Sequence, residues 1–131
     1  MVFVGEFQVS FTGVGRIVLP KKIRELLKGN NFIVTKGFDK CLAGYDKHDW
    51  EDRASELLQV SLLEQENLQK RRFVFSSASS LEIDEQGRFV IPRSLLEYAG
   101  LDKKVTIIGV GDHFEIWNEQ SWKQINQEKE L

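Results

Sequence analysis

The sequence has few of the residues that build disulfides, metal sites or membrane spans. Its 131 residues include one cysteine, two histidines and two prolines, and no apolar run approaches the ~18 residues of a membrane helix. A single cysteine excludes an internal disulfide and is typical of a reducing compartment. The first eleven residues lack a positively charged start and a small-residue cleavage site, so we expect no secretory signal there. We therefore expect a cytoplasmic protein with one compact unit, or two small units that share a core.

The sequence also lacks a catalytic or metal-binding constellation. Cys41, His48 and His113 are the residues that could suggest a nucleophile or a zinc site, but their spacing is not that of metal ligands. The glycine pairs Gly13-x-Gly15 and Gly109-x-Gly111 lack the third glycine of a dinucleotide-binding loop. No converging acid, base and nucleophile can be recognised. We therefore expect neither an enzyme nor a bound metal or cofactor.

Charge is unevenly distributed along the chain. The formal net charge is −2, which argues mildly against nucleic acid as a partner. Residues 14–28, however, carry five basic side chains against one acidic side chain, whereas residues 46–66 carry seven acidic against two basic. Solvated helix faces often show such charge runs. Because exposed charges act over about 10 Å at moderate salt, an acidic protein can still present one electropositive surface.

An internal repeat organises the sequence. The stretches "GRIVLPKKIREL", from Gly15, and "GRFVIPRSLLEY", from Gly87, align without a gap at an offset of 72 residues. The register continues through Gly37 and Gly109 to a tryptophan at the far end of each copy. We infer a duplication. Residues 1–56 form the first repeat, residues 57–72 a helical connector, and residues 73–131 the second repeat with a C-terminal helix.

Each repeat predicts the same order of strands and helices. "EFQVSF" and "SLEI" alternate apolar and polar residues, as strands do, and a glycine marks a tight turn before "RIVL" and "RFVI". Pro20 and Pro92 suit the first turn of helices over residues 21–28 and 93–99. A hairpin and a tryptophan-bearing helix follow in each copy, and residues 57–72, without glycine or proline, predict one joining helix.

The length of each repeat favours an interleaved fold. About 56 residues are too few for a comfortable independent core, and short strands leave edges that can pair with the other copy. We therefore predict an α+β fold in which tandem repeats form an intertwined, pseudo-two-fold β-barrel with peripheral helices.

Basic residues cluster at the equivalent turn of each repeat. If the halves face each other, Arg16 and Arg88 project from one surface, where a guanidinium can contact a guanine edge or a phosphate bidentately. Asp84, four residues before Arg88, can hold that side chain in one rotamer. Stability alone explains such a pair poorly, since exposed ion pairs contribute about 0–1 kcal/mol. The basic residues that begin the following helices suit phosphate contacts; they are Lys21, Lys22, Arg24 and Arg93.

The stretch "IDEQGRFVIPRSLLEYAGL" resembles the Asp-x-x-x-Arg signature of the MraZ family, whose members are built from two AbrB-like swapped-hairpin domains. The resemblance covers nearly the whole chain and includes "QKRRFVF" and "EIWNEQSW". It implies a bacterial, nucleoid-associated transcriptional regulator that binds the promoter of the division and cell-wall gene cluster containing its own gene. It also implies a closed homo-oligomeric ring that presents both Asp-x-x-x-Arg elements to tandem DNA repeats.

The first repeat departs from the family pattern. The family's aspartate position is Thr12 here, and a lysine often found between the aspartate and the arginine is Val14. Arg16 therefore lacks a carboxylate partner, although Thr12 offers a hydroxyl. Whether the first repeat reads bases fully stays open. This departure also keeps an alternative open: a ring-forming adaptor that contacts proteins through its acidic helices and binds DNA weakly or without specificity.

Overall fold

The computed structural model describes residues 2–61 and 63–128. Residue 1, Leu62 and residues 129–131 lie outside the described residues. The outer ends of the two predicted repeats and one residue of the predicted connector therefore lie outside them as well. Among the described residues, no helix is both long and apolar enough to cross a membrane.

The two halves contain the same elements in the same order. The first half consists of β1 (Glu6–Ser10), β2 (Arg16–Val18), α1 (Lys21–Arg24), β3 (Asn31–Lys36), β4 (Leu42–Asp46) and α2 (Lys47–Leu58). The helix α3 (Gln65–Ser77) leads into the second half, which consists of β5 (Ser79–Glu82), β6 (Arg88–Val90), α4 (Arg93–Ala99), β7 (Lys104–Gly109), β8 (Phe114–Asn118) and α5 (Glu119–Glu128). The predicted α+β class is confirmed.

Strands of the two halves pair with each other, as the short repeats predict. A six-stranded antiparallel sheet has the order β1-β7-β8-β4-β3-β5, and β2 pairs with β6 in a separate two-stranded ribbon. The first strand of each half thus pairs with the third strand of the other half. The predicted β-barrel is wrong, because the sheet does not close on itself in the described part of the chain. The three-residue strands β2 and β6 pair with each other, so within the described residues β1 and β5 remain the edges of an open sheet.

The pairing registers have pseudo-two-fold symmetry. In the ribbon, Ile17 lies opposite Phe89, and in the sheet Ala43 lies opposite Glu115. The residues of each of these pairs are 72 positions apart, so the pseudo-two-fold axis passes between them.

The strands β3 and β7 depart from the offset of 72. Phe32 lies opposite Asp46 in one hairpin, whereas Val105 lies opposite Asn118 in the other. Because Asp46 and Asn118 are 72 positions apart, Phe32 and Val105, 73 positions apart, are structural equivalents. The one-residue shift is compensated in the longer β3–β4 loop. The predicted match of Gly37 with Gly109 is therefore one residue out of register.

The core lies between the six-stranded sheet and the ribbon. The rings of Phe32 in β3 and Phe89 in β6 meet edge to face, with centroids 5.0 Å apart, a favourable geometry for aromatic pairs. The ribbon residues Ile17 and Phe89 are almost fully buried. The two halves therefore share one hydrophobic core, in which the other fully buried large side chains are Phe3, Phe32, Phe114, Leu19, Ile23, Leu42, Ile91, Leu95, Ile107 and Ile116.

The connector is not the single helix predicted over residues 57–72. The helix α2 ends at Leu58 and α3 begins at Gln65. Arg71 of α3 donates from Nε to the Leu57 carbonyl at 3.3 Å and from Nη2 to the Leu58 carbonyl at 3.0 Å. The last carbonyls of a helix have no partner within it, so this side chain stabilises the end of α2.

The helix α1 is also shorter than predicted. It ends at Arg24 instead of Lys28. Beyond it, Leu26 and Leu27 donate to the carbonyls of Ile23 and Arg24, each at 3.1 Å. The backbone N–H of Lys28 instead donates to Asp46 Oδ1 at 3.1 Å, a contact distant in sequence. The corresponding helix α4 covers residues 93–99 as predicted and ends at Gly100 in a left-handed conformation.

Candidate nucleic-acid interface

The two-stranded ribbon presents one face to the core and one to solvent. Arg16 lies opposite Val90, and Val18 opposite Arg88. Side chains alternate between the faces of a strand, so burial of Ile17 and Phe89 places their neighbours on the outside. We call this outward surface the ribbon face; it consists of Arg16, Val18, Arg88 and Val90.

The ribbon face brings the two arginines of the repeat together. Arg16 is opposite Val90, two residues beyond Arg88, and such diagonal neighbours in an antiparallel pair lie about 7–8 Å apart. Both arginines line one open depression together with Asp84. The structure thus places Arg16 and Arg88 side by side on one surface. Their contact with DNA stays a prediction.

A glycine in a left-handed conformation shapes the turn before each arginine. Gly15 has φ 70° and Gly87 has φ 79°, values that other residues adopt only with strain. Each turn is also joined to the opposite strand, because Ile91 donates to the Gly15 carbonyl at 2.8 Å and Leu19 donates to the Gly87 carbonyl at 2.9 Å. The two halves therefore hold each other's turns in place.

Asp84 fixes both the second turn and the side chain of Arg88. Its Oδ1 accepts hydrogen bonds from the backbone N–H groups of Gln86, at 2.9 Å, and Arg88, at 2.8 Å. Its Oδ2 accepts one from Arg88 Nε at 2.7 Å. The backbone N–H and then the guanidinium of Arg88 lower the pKa of Asp84 below its ordinary value. Asp84 is therefore ionised at neutral pH, and the ion pair leaves the two Nη groups of Arg88 without a hydrogen-bond partner among the described residues.

Thr12 occupies the equivalent position in the first turn, but its side chain makes no contact with the guanidinium of Arg16 among the described residues. Its backbone N–H donates to the Arg16 carbonyl at 2.8 Å, as that of Asp84 does to the Arg88 carbonyl at 3.0 Å. Its hydroxyl donates to the same Arg16 carbonyl at 3.3 Å. Among the described residues, the guanidinium of Arg16 makes no hydrogen bond or ion pair. The first turn thus keeps this backbone bond but closes differently, through Arg16 N–H and the Gly13 carbonyl at 3.3 Å, where the second turn has Gly87 N–H and the Asp84 carbonyl at 2.9 Å. The guanidinium of Arg16 is not held.

The basic residues of the two helices differ in their surroundings. Lys21 and Lys22 are exposed at the start of α1, and Lys21 Nζ lies 3.9 Å from Glu25. Arg93 is likewise exposed and paired at 3.0 Å with Glu97. These three remain accessible to a phosphate, since exposed pairs are weak.

Arg24 turns back towards its own chain. Its Nε donates to the Leu19 carbonyl at 2.9 Å, and a Cβ at Gly87 would lie 2.5 Å from its Cζ. The structure therefore gives Arg24 a packing role against the second turn. The residue at its repeat position, Leu96, lies against Gly15 in the same way.

Two exposed valines of this surface were not among the predicted site residues. Val90 on the ribbon face is 51% exposed, and Val14 at the tip of the first turn is 98% exposed. The alternation in "RIV" and "RFV" could have identified Val90, because it places the valine on the same side as the arginine. Apolar groups of this kind can contact thymine methyl groups in the major groove.

The chain matches a known protein family twice, once in each half. Two segments, residues 2–73 and 74–131, match the family described as "MraZ protein, putative antitoxin-like". A protein named "Transcriptional regulator MraZ" from Desulforamulus reducens is 40% identical over 129 residues, which are 98% of this chain and 90% of that protein. This chain belongs to the MraZ family.

Other MraZ proteins are similar over comparable lengths. Proteins of the same name are 38% identical over 99% of this chain and 90% of their own length in Acetivibrio thermocellus, and 44% identical over 92% and 84% in Caldicellulosiruptor bescii. The two MraZ segments meet inside α3, close to the predicted boundary at residue 73. Among the described residues of this MraZ chain, no group of three histidine, cysteine or carboxylate side chains is placed to hold a metal ion.

Proposed function

We propose that this chain is a transcriptional regulator that binds duplex DNA sequence-specifically through the ribbon face. The observation that carries the proposal is the placement of Arg16 and Arg88 on the outer side of a ribbon whose inner side is buried in the core. The names of its MraZ relatives support the regulatory role.

The dimensions of the ribbon face suit the major groove. The major groove of B-DNA admits a two-stranded β-ribbon, and arginine contacts guanine O6 and N7 bidentately there. Two arginines about 7–8 Å apart on the ribbon span about two steps of the 3.4 Å rise between bases. A single chain can therefore place both arginines at one groove.

The charge of the surroundings supports binding to phosphates. Lys21, Lys22 and Arg93 are exposed at the starts of the two helices that follow the ribbon strands. At physiological salt a charge acts over about 8 Å, so the acidic residues of α2 have little influence beyond that range. The net charge of −2 is therefore compatible with a local attraction to DNA.

We further propose the biological setting that the family resemblance implies. The two cross-paired halves form AbrB-like swapped hairpins, and several chains assemble into a closed homo-oligomeric ring. The ring acts in the cytoplasm, at the nucleoid, on tandem repeats in the promoter of the division and cell-wall gene cluster that includes its own gene. Binding, not catalysis, is its function.

A binding titration with the DNA upstream of the gene that encodes this chain tests the proposal. We expect retardation that weakens steeply as salt is raised, because binding releases counterions from the phosphates. Arg88→Ala should cost about 1–3 kcal/mol and flatten the base preference at its contact. Lys123→Ala, which removes a paired lysine from α5, is the matched control for loss of one positive charge.

The titration also separates the proposal from an adaptor function. Several apolar side chains near the α2–α3 connection and the β3–β4 loop are exposed and could contact a protein; they are Phe38, Leu58, Val60 and Leu63. An adaptor would leave the DNA upstream of its gene unretarded, or would retard it no more than unrelated DNA. Equal binding by wild type and Arg88→Ala at every salt concentration would show that the assigned interface is wrong.

A further inference from the structure

The two turns before the ribbon strands share one backbone hydrogen bond, from Thr12 to Arg16 and from Asp84 to Arg88, but they differ in side-chain support. The Asp84 carboxylate accepts three hydrogen bonds within the second turn, one of them from Arg88 Nε at 2.7 Å. At the equivalent position of the first turn, the Thr12 hydroxyl makes one bond of 3.3 Å, to the Arg16 carbonyl. The duplication thus supplies two arginines on one surface, of which one is held and the other is free within the described residues.

We propose that the two turns act unequally on DNA. The Arg88 turn discriminates guanine, and the Arg16 turn supplies affinity by contacting phosphate with little base preference. This inference rests on the proposed function and specifies how the site works. Although the ribbon is pseudo-symmetric, only its Arg88 turn then reads the base sequence. Asp84 is the positioning residue for Arg88.

The geometry of Arg88 favours discrimination. Bidentate contact with a guanine edge requires the guanidinium plane to be set at a defined angle. The Asp84–Nε bond fixes that plane before DNA arrives, so less side-chain freedom is lost on binding. The packing of Arg24 against Gly87 supports the same turn from below. The guanidinium of Arg88 is therefore held in one orientation, which suits the O6 and N7 acceptors of guanine.

The charge of Arg16 favours phosphate. Asp84 offsets the charge of Arg88, whereas no carboxylate of the described residues pairs with Arg16. Arg16 is exposed and follows a turn whose tip, Val14, is 98% exposed. Its guanidinium can therefore contact a backbone phosphate of the DNA. Phosphate contacts contribute affinity that depends on salt and carry no direct sequence information.

A single-base substitution scan with matched variants tests the unequal roles. The probes are duplexes of the upstream DNA in which each base pair is replaced in turn, and binding is measured from 50 to 300 mM salt. The proteins are wild type, Arg88→Ala, Arg16→Ala, Thr12→Asp and Thr12→Asn. Thr12→Asn is the control for side-chain size without charge, and circular dichroism checks that each variant is folded.

We expect a different result from each arginine. Arg88→Ala should abolish a guanine preference of about tenfold or more at one position. Arg16→Ala should weaken binding to all duplexes by a similar factor and reduce the slope of log affinity against log salt by about 1. Thr12→Asp should create a second guanine preference, related to the first by the pseudo-two-fold axis. Thr12→Asn should leave the wild-type pattern.

Two outcomes would overturn the inference, and they differ from each other. If wild type already shows two equal preferences, each abolished by loss of its own arginine, DNA binding stands and the unequal roles are wrong. If wild type binds none of the duplexes with sequence preference, the proposed function fails and the unequal roles fail with it.

Discussion

At the residue scale, one substitution between the repeats changes what the chain can do. Asp84 and Thr12 hold the same place in the two turns, and each donates its backbone N–H to the carbonyl of the following arginine. The carboxylate fixes Arg88 by an ion pair of 2.7 Å, and the hydroxyl leaves Arg16 free among the described residues. Both members of the ion pair are 40–42% exposed, so solvent screens it and its contribution to stability is small. The effect of the ion pair is to hold the Arg88 side chain in position.

The stabilising effect of Asp84 should disappear in acid. The folded pKa lies below the ordinary value of 3.8, and a carboxyl with a depressed pKa stabilises the fold above its unfolded pKa and loses this effect as pH falls through the folded pKa. We expect the free energy of unfolding of wild type to exceed that of Asp84→Asn by a constant amount at neutral pH. The difference should shrink below pH 3.8. Urea unfolding over a pH series measures it, and a difference that persists unchanged to pH 2 would contradict this reading.

Gly87→Ala should cost more than Gly100→Ala. Both glycines have left-handed φ angles, 79° and 60°, where a side chain costs roughly 1–2 kcal/mol. A Cβ at Gly100 meets no atom within 4 Å, whereas one at Gly87 meets the guanidinium of Arg24 and should displace it from the Leu19 carbonyl. We expect an additional loss of about 1 kcal/mol in unfolding free energy. That excess should vanish in an Arg24→Ala background, and its persistence there would assign the cost to another contact.

At the element scale, the ribbon depends on its buried side for its position. The strands β2 and β6 have three residues each, and an isolated two-stranded pair is marginal in water. Ile17 and Phe89 attach the ribbon to the core, and the turns are joined across the halves. The exposed arginines therefore stand on a rigid support.

Phe89→Ala should loosen the ribbon far more than a change on its outer side. The Phe89 side chain is 2% exposed and packs on Phe32, so truncation should lower the unfolding free energy by about 3–5 kcal/mol. Val90→Ala, on the next residue and 51% exposed, should cost less than about 1 kcal/mol. Chemical denaturation compares the two. Similar costs would mean that the ribbon is not held by its inner face.

The sequence predicted the elements whose determinants are local. Alternation in "EFQVSF" and "SLEI" indicated the strands β1 and β5, and Pro92 with Gly100 correctly bounded α4. The ends of α1 and α2 could not be predicted, because they depend on contacts of Lys28 with Asp46 and of Arg71 with Leu57 and Leu58, which are distant in the sequence. Likewise, an alignment without gaps could not reveal the shift of β3 and β7, since two opposite length changes cancel.

At the scale of the whole molecule, the duplication explains why the halves are inseparable. Each half contributes one edge strand of the sheet, β1 or β5, and that strand pairs with a strand of the other half. The ribbon takes one strand from each half. The repeat predicted this interleaving and also placed both arginines on one surface. It could not predict an open sheet, because the separation of the ribbon from the sheet depends on the three-dimensional packing of strands that are only three residues long.

The separate halves should not fold as monomers. Residues 2–73 alone lack the partners of β1, β2 and part of the sheet, and residues 74–131 lack those of β5 and β6. We expect each fragment to be largely unfolded by circular dichroism at low concentration, with structure appearing only as concentration rises or the fragments are mixed. Cooperative, concentration-independent unfolding of either fragment would show that a half has its own core.

Site-specific cross-linking to DNA tests the central claim most directly. A photoreactive side chain replaces Val14, which is 98% exposed at the turn before Arg16, or as a control Leu58, which is 56% exposed at the end of α2. With the upstream duplex bound, we expect efficient cross-links from position 14 and few from position 58. Cross-links from position 58 with none from position 14, at equal binding, would place DNA on another surface and contradict the assignment of the ribbon face.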